Sequence, residues 1–243
     1  MLQTTSSLKG YSVIARDGKL GSFSDLLFDD ETWLVRWLVV DTGDWVTSLI
    51  LPSAIGRPIS QMRELAVDLT LAAVRGGPNS LQDEPVSRQM ENHLYDYYGW
   101  SSSVVHPGAI ASPLSSPPLF GATEVDKVAG MELPLSHQDP HLRSITAVTG
   151  YRIEATDGDI GHVKNFLVDN LTWCVRYLLI DTHTWFGGTR VVVATHNVSD
   201  IRWSDRCVRL DLSRSDINAS PLWNQSRPSI LEAGATSMQA PRL

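Results

Sequence analysis

The sequence is short of the features that announce a function. Only two cysteines, Cys174 and Cys207, occur in 243 residues. A disulfide framework shows more of them at regular spacing, so two reduced thiols and a cytoplasmic location are expected. Basic residues are outnumbered, 20 Lys and Arg against 27 Asp and Glu, giving a net charge of −7 and a pI near 5.4. That deficit argues against nucleic-acid binding, which needs basic side chains to displace counterions from phosphate. No apolar run reaches the ~18 residues that span a bilayer, so no transmembrane segment is expected. The start, Met1 to Lys9, lacks the apolar core of a secretory signal. There is no glycine-rich phosphate loop, and no Ser–His–Asp or Cys–His grouping assembles from spacing. Neither an enzyme nor a cofactor is expected.

What is present is a repeat. Trp33-Leu34-Val35-Arg36-Trp37-Leu38-Val39-Val40-Asp41-Thr42 returns 140 positions later as Trp173-Cys174-Val175-Arg176-Tyr177-Leu178-Leu179-Ile180-Asp181-Thr182. The copies align without a gap from Leu8 to Trp45. They share Gly10/Gly150, Tyr11/Tyr151, Asp17/Asp157, Gly21/Gly161, Asp29/Asp169, Trp33/Trp173 and Trp45/Trp185.

Each copy reads as short strands joined by tight turns. Copy one predicts strands over Gly10–Ala15, Phe23–Asp29, Leu34–Asp41, Ile50–Pro52 and Leu65–Thr70. Asp17-Gly18 and Asp157-Gly158 are hairpin signals, because glycine tolerates the positive φ such turns demand, and Gly21 and Gly161 open the next strands. Strict alternation puts Val35, Trp37 and Val39 on one face of the third strand and Arg36, Leu38 and Val40 on the other. Both faces are apolar toward its end, which predicts a strand covered on both sides. The reading is all-β, two small antiparallel barrels in tandem. The first spans 1–78 and the second 139–221. Between them lie a helical segment over 79–100, with Val86, Met90, Leu94 and Tyr97 on one face, and a Pro/Ser-rich linker over 101–138. A weakly ordered tail occupies 222–243.

These residues resemble the PRC-barrel family, known from the cytoplasmic domain of the photosynthetic reaction-centre H subunit and from the ribosome-maturation factor RimM. Gly10-Tyr11, Asp17-Gly18-Lys19-Leu20-Gly21, Leu27-Phe28-Asp29-Asp30 and Arg36-Trp37-Leu38-Val39-Val40-Asp41 carry the resemblance in copy one. Gly150-Tyr151, Asp157-Gly158-Asp159-Ile160-Gly161, Leu167-Val168-Asp169 and Arg176-Tyr177-Leu178-Leu179-Ile180-Asp181 carry it in copy two. The resemblance implies a small, strongly bent β-barrel used for protein–protein contact and assembly, and it implies no catalytic centre.

Chemical readings of single residues are weaker. The Asp-Gly pairs lack the further oxygen ligands and distal Glu of a calcium loop. Arg36/Arg176 and Asp41/Asp181 read as structural charges in apolar strands, which need partners. His162 and His183 have no counterpart in copy one, where Ser22 and Gly43 stand, and Pro140 interrupts the spacing of His137 and His141. The aromatics are the better lead. Trp37, Leu38, Val40, Tyr177, Leu178 and Ile180 are the candidate interface; the Tyr-rich helix, the other barrel or another subunit, as in a homodimer, would supply the covering layer, and an unknown protein partner is expected. The expected role is a non-catalytic interaction or assembly module. The alternative is a sensor holding a small ligand or metal in a groove between the barrels; His162, His183 and the copy-two acids around one cavity would favour it.

Overall fold

The computed structural model describes residues 1–43, 47–56, 58–59, 61–75, 141–182 and 189–224. The predicted helix over 79–100 and the linker over 101–138 fall outside them. The described chain is mostly β, in two sheets.

Repeat one contributes β2 (Ser12–Ala15), β3 (Gly18–Asp29), β4 (Val35–Asp41), β5 (Thr47–Ile50) and β6 (Glu64–Ala66). They stand in the order β5-β4-β3-β2-β6. Repeat two contributes β8 (Arg152–Ala155), β9 (Gly158–Asp169), β10 (Cys174–Thr182), β11 (Thr189–Ala194), β12 (Val198–Arg202) and β13 (Cys207–Leu210), ordered β11-β10-β9-β8-β13-β12. The order is the same in both. Val13 and Leu65 pair in parallel, as do Ile153 and Val208. The sheets are therefore mixed, where hairpin signals alone predict antiparallel pairing throughout. The reason is that the chain crosses over after β5 and β11 and returns along β2 and β8 in their own direction. No pairing among the described residues closes either sheet on itself.

Two short strands precede the predicted ones and change sides. β1 (Leu2–Thr4) belongs to repeat one but pairs with Leu167–Asp169 of β9. β7 (Leu142–Ser144) belongs to repeat two but pairs with Leu27–Asp29 of β3. β3 and β9 have twelve residues each, whereas β2 and β8 have four. The far end of each long strand would leave backbone N–H and C=O groups unpaired, and the other repeat's leader strand satisfies them. Each leader is succeeded by a one-turn helix, Thr5–Leu8 or Ile145–Val148, whose first residues bond back to the other repeat. Asn165 Oδ1 accepts from Thr5 Oγ1 at 2.7 Å, and Asp25 Oδ2 accepts from Ser144 Oγ at 2.5 Å. At one seam Asp30 also holds Arg143 Nε at 2.6 Å and His141 Nδ1 at 2.9 Å. Burial pushes the Asp30 carboxyl above the usual range despite these two partners.

The exchange produces one core. A single cluster of buried apolar side chains runs from Leu8 to Ile217 through both repeats. Phe28 stacks on Trp33 with ring centres 5.4 Å apart, and lies 5.7 Å from Phe166 of the other repeat. A second, smaller cluster lies on the outer face of repeat two. There Leu167, Leu179 and Val192 are covered by Tyr177 and Trp223. Pro221 and Trp223 bond the backbone of β11, so ordered pairing extends past residue 221.

Paired β-bulges bend the long strands at equivalent places. Pairing shifts register at Leu20 and Ile160, at Ser24 and Lys164, and at Arg36 and Arg176. The bulge at Arg36 changes which residues share a face. Val35 joins Leu38 and Val40 in the shared core, and Val175 joins Leu178 and Ile180. Strict alternation had placed Val35 opposite them. Among the described residues, no helix is long and apolar enough to cross a membrane.

Candidate functional site

Five of the six candidate interface residues are spent inside the chain. Trp37, Leu38, Val40, Leu178 and Ile180 are fully buried, and Leu38, Val40, Leu178 and Ile180 belong to the core the repeats share. Tyr177 is half-buried beside the outer cluster of repeat two. The inner face of the two-sided apolar strand thus packs into the core that runs through both repeats.

The turn residues have more duties than turning. Ala15 pairs with Gly18, and Ala155 with Gly158, so the loops are the two residues between. Asp17 accepts the N–H of Leu71 at 2.8 Å, and Asp157 that of Arg214 at 2.8 Å. Each aspartate thereby takes the first N–H of a short helix, Leu71–Arg75 or Arg214–Ala219, the latter capped by Ser213. Gly21 and Gly161 permit a close approach. A Cβ there would run into the backbone carbonyl of Asp41 or Asp181.

The surroundings of the remaining recurrent charges have diverged. Arg36 is buried and faces Asp29 at 3.5 Å, while Arg176 is exposed. Asp41 accepts the N–H of Gly43 at 2.9 Å. Both cysteines are free thiols, and burial pushes both above the usual thiol range. Cys207 lies 3.4 Å from Glu154, whose carboxylate also takes Arg202 at 2.6 Å and Arg209 at 3.0 Å. The bond from Arg209, then that from Cys207, holds Glu154 below the usual range.

Two surface features stand out. The first is a pair of equivalent hairpin tips. Ile59 pairs with Glu64 in repeat one and Arg202 with Cys207 in repeat two, each 143 positions apart. At the tips Arg63 and Arg206 adopt positive φ, +53° and +48°, and lie 5.4 and 5.7 Å from the ring centres of Tyr11 and Tyr151. Exposed large apolar side chains gather at these tips: Ile59 and Met62 on one, Trp203 on the other, 54% exposed. Sequence reading missed them because it sought the interface in the apolar strands.

The second is an open groove of about 600 Å3 in repeat two, lined by Arg152, Asp157, Asp159, His162, Arg214 and Asn218 among others. It brings His162 together with two copy-two acids; His183 lies outside the described residues. Arg152 pairs with Asp159 at 2.5 Å, and Arg214 Nε faces Asp157 at 3.5 Å. The N–H of Arg214 is the main cause holding Asp157 below the usual carboxylate range. A groove between the repeats also exists, about 420 Å3, lined by Pro52, Ser53 and Ile55 of one and Asn170 to Trp173 of the other. None of the described residues lining it is charged. Among the described residues, no group of three or more His, Cys, Asp or Glu side chains is placed to hold a metal ion.

Comparison of the sequence with protein-family models finds none that matches, and comparison with curated proteins likewise finds no match.

Proposed function

We propose that this chain is a non-catalytic, cytoplasmic interaction module in which two PRC-type barrels, fused in one polypeptide, present a pair of related apolar tips to a protein partner. The observation that carries the reading is the position of Ile59, Met62 and Trp203. They sit on equivalent hairpins and stay exposed, while Trp33, Trp37 and Trp173 are buried. Exposed apolar side chains at matched sites mark contact surfaces more often than scattered ones do. The PRC-like residues support the same reading, because that resemblance implies assembly rather than catalysis. The strands first suspected of binding a partner already bind the other repeat, so the partner surface moves to the tips.

The test is a pull-down from native lysate with the tagged full chain, alongside Trp203→Asp and Met62→Asp variants. One dominant partner, lost with either variant while thermal stability is unchanged, supports the proposal. A partner retained by both variants removes the tips from the reading.

A second reading, a small-ligand sensor, is favoured by the repeat-two groove. Its size suits a small molecule, and it gathers convergent charged groups, which the described lining of the groove between the repeats lacks.

A further inference from the structure

The repeat supplies an internal reference for the groove. Backbone positions that are equivalent in fold carry different side chains, so what repeat two has added can be read directly. Arg152, Asp159 and His162 stand where repeat one has Ser12, Lys19 and Ser22. Arg214 stands where repeat one has Leu71. Both donate their N–H to the turn aspartate, and both lie over the turn glycine, Gly158 or Gly18. Repeat two has therefore placed two guanidinium groups on a frame that repeat one leaves without either.

The aspartates beside them are arranged as holders. Asp159 Oδ1 takes Nη1 of Arg152, and Asp157 faces Nε of Arg214. The other guanidinium N–H groups of both arginines make no hydrogen bond to any described residue. An arginine has five donors in a planar fork, so one contact to a carboxylate leaves the remaining N–H groups able to face the groove. Asn218 lies four residues after Arg214 and lines the same groove, as does His162. Two forks, an amide and an imidazole around one open volume match the planar or tetrahedral oxygens of an oxyanion.

We infer that this groove binds the oxyanion group, a phosphate or a carboxylate, of a small molecule, with Arg152 and Arg214 as its principal donors. The inference rests on the small-ligand reading and gives its ligand class.

The experiment is calorimetric titration of the full chain with pyrophosphate and with citrate, at low salt because the contacts are charged. Wild type is compared with Arg152→Ser and Arg214→Leu, which restore the residues of repeat one, and with Arg16→Ser, which removes an exposed pair with Asp68 in repeat one. The expected result is one site per chain, weakened about tenfold or more by either groove variant, as befits a lost charge-assisted hydrogen bond, and unchanged by Arg16→Ser. Pyrophosphate alone binding assigns a phosphate ligand, and citrate alone a carboxylate. Binding that is equal in all variants overturns the site. If neither anion binds but neutral sugars or nucleosides raise the melting temperature, and Asn218→Ala abolishes that rise, the oxyanion class is overturned and the small-ligand reading stands. Silence toward anions and neutral molecules alike overturns both.

Discussion

Trp33 and Trp173, 140 positions apart, each accept a backbone hydrogen bond from the other repeat. The N–H of Val35 donates to the Trp173 carbonyl at 2.8 Å, and the N–H of Val175 donates to the Trp33 carbonyl at 2.8 Å. Both tryptophans hold positive φ, +60° and +50°, a conformation that bulky residues rarely accept. The strain is tolerated because each ring is buried in the shared core and each carbonyl is needed by the other repeat.

A single core means a single unfolding transition. Phe28→Ala and Phe166→Ala remove rings that meet across the repeats. Each should cost about 3–5 kcal/mol, and each should lower one common transition. Denaturant unfolding read by tryptophan fluorescence and by circular dichroism checks this. Two separated transitions, only one of them moved, would sink the shared core.

The close approach at Gly21 and Gly161 should be intolerant of a methyl group. Gly161 adds a φ of +151° to the clash with the Asp181 carbonyl, whereas Gly21 faces only its carbonyl. Gly161→Ala should therefore be the more damaging of the two, by roughly 1–3 kcal/mol of backbone strain. Gly150→Ala, with φ at +91° and open space around the new Cβ, should cost about 1–2 kcal/mol of backbone strain alone. Equal melting temperatures for all three variants would contradict the geometry.

Glu154 makes stability depend on acid. Its folded value lies below the ordinary 4.5 because Arg209, Cys207 and Arg202 bond its charged form. A carboxylate with a depressed folded pKa binds its proton more readily when unfolded. Its contribution is therefore complete above about pH 4.5 and is lost as pH falls through the folded value. Melting temperatures of wild type and Glu154→Gln should differ at pH 7 and converge below that window. A gap that persists or widens in acid would reverse the sign.

The fold and the site were unequally legible in the sequence. The strands, the Asp-Gly turns and the duplication were open to reading, because period-two apolarity and paired glycines are local signals. The faces of the third strand were not. A bulge at Arg36 inserts one residue, and alternation has no means of registering it. The leader strands Leu2–Thr4 and Leu142–Ser144 were also hidden, because three residues carry no period and their partners lie in the other repeat. The groove in repeat two was half visible: His162 stood out as unmatched, but Arg152 and Arg214 are far apart in sequence and meet only through β8 and the turn at Asp157.

Exchange of leaders also predicts how a cut chain behaves. A protease site introduced between the repeats, within residues 101–138, should yield two fragments that still elute together, held by both seams and the common core. Their melting temperature should then depend on protein concentration, since cutting converts an intramolecular contact into a bimolecular one. Fragments that separate on a sizing column would show that the seams are too weak to join them.

The seam between β1 and β9 has a consequence in time. Leu2 to Thr4 leave the ribosome well before the strand they complete, Leu167 to Asp169, which lies more than 160 residues further on. Synthesis runs at about 5–20 residues per second, so the leader waits roughly 8 to 33 seconds for its mate. During that wait one edge of the far end of β3 is also open, because β7 has yet to be made, although β4 already pairs with the other edge. The first half of this protein is thus an unfinished object until the second half arrives, and the interval is when it is most open to chaperones and to mispairing with a neighbouring nascent chain.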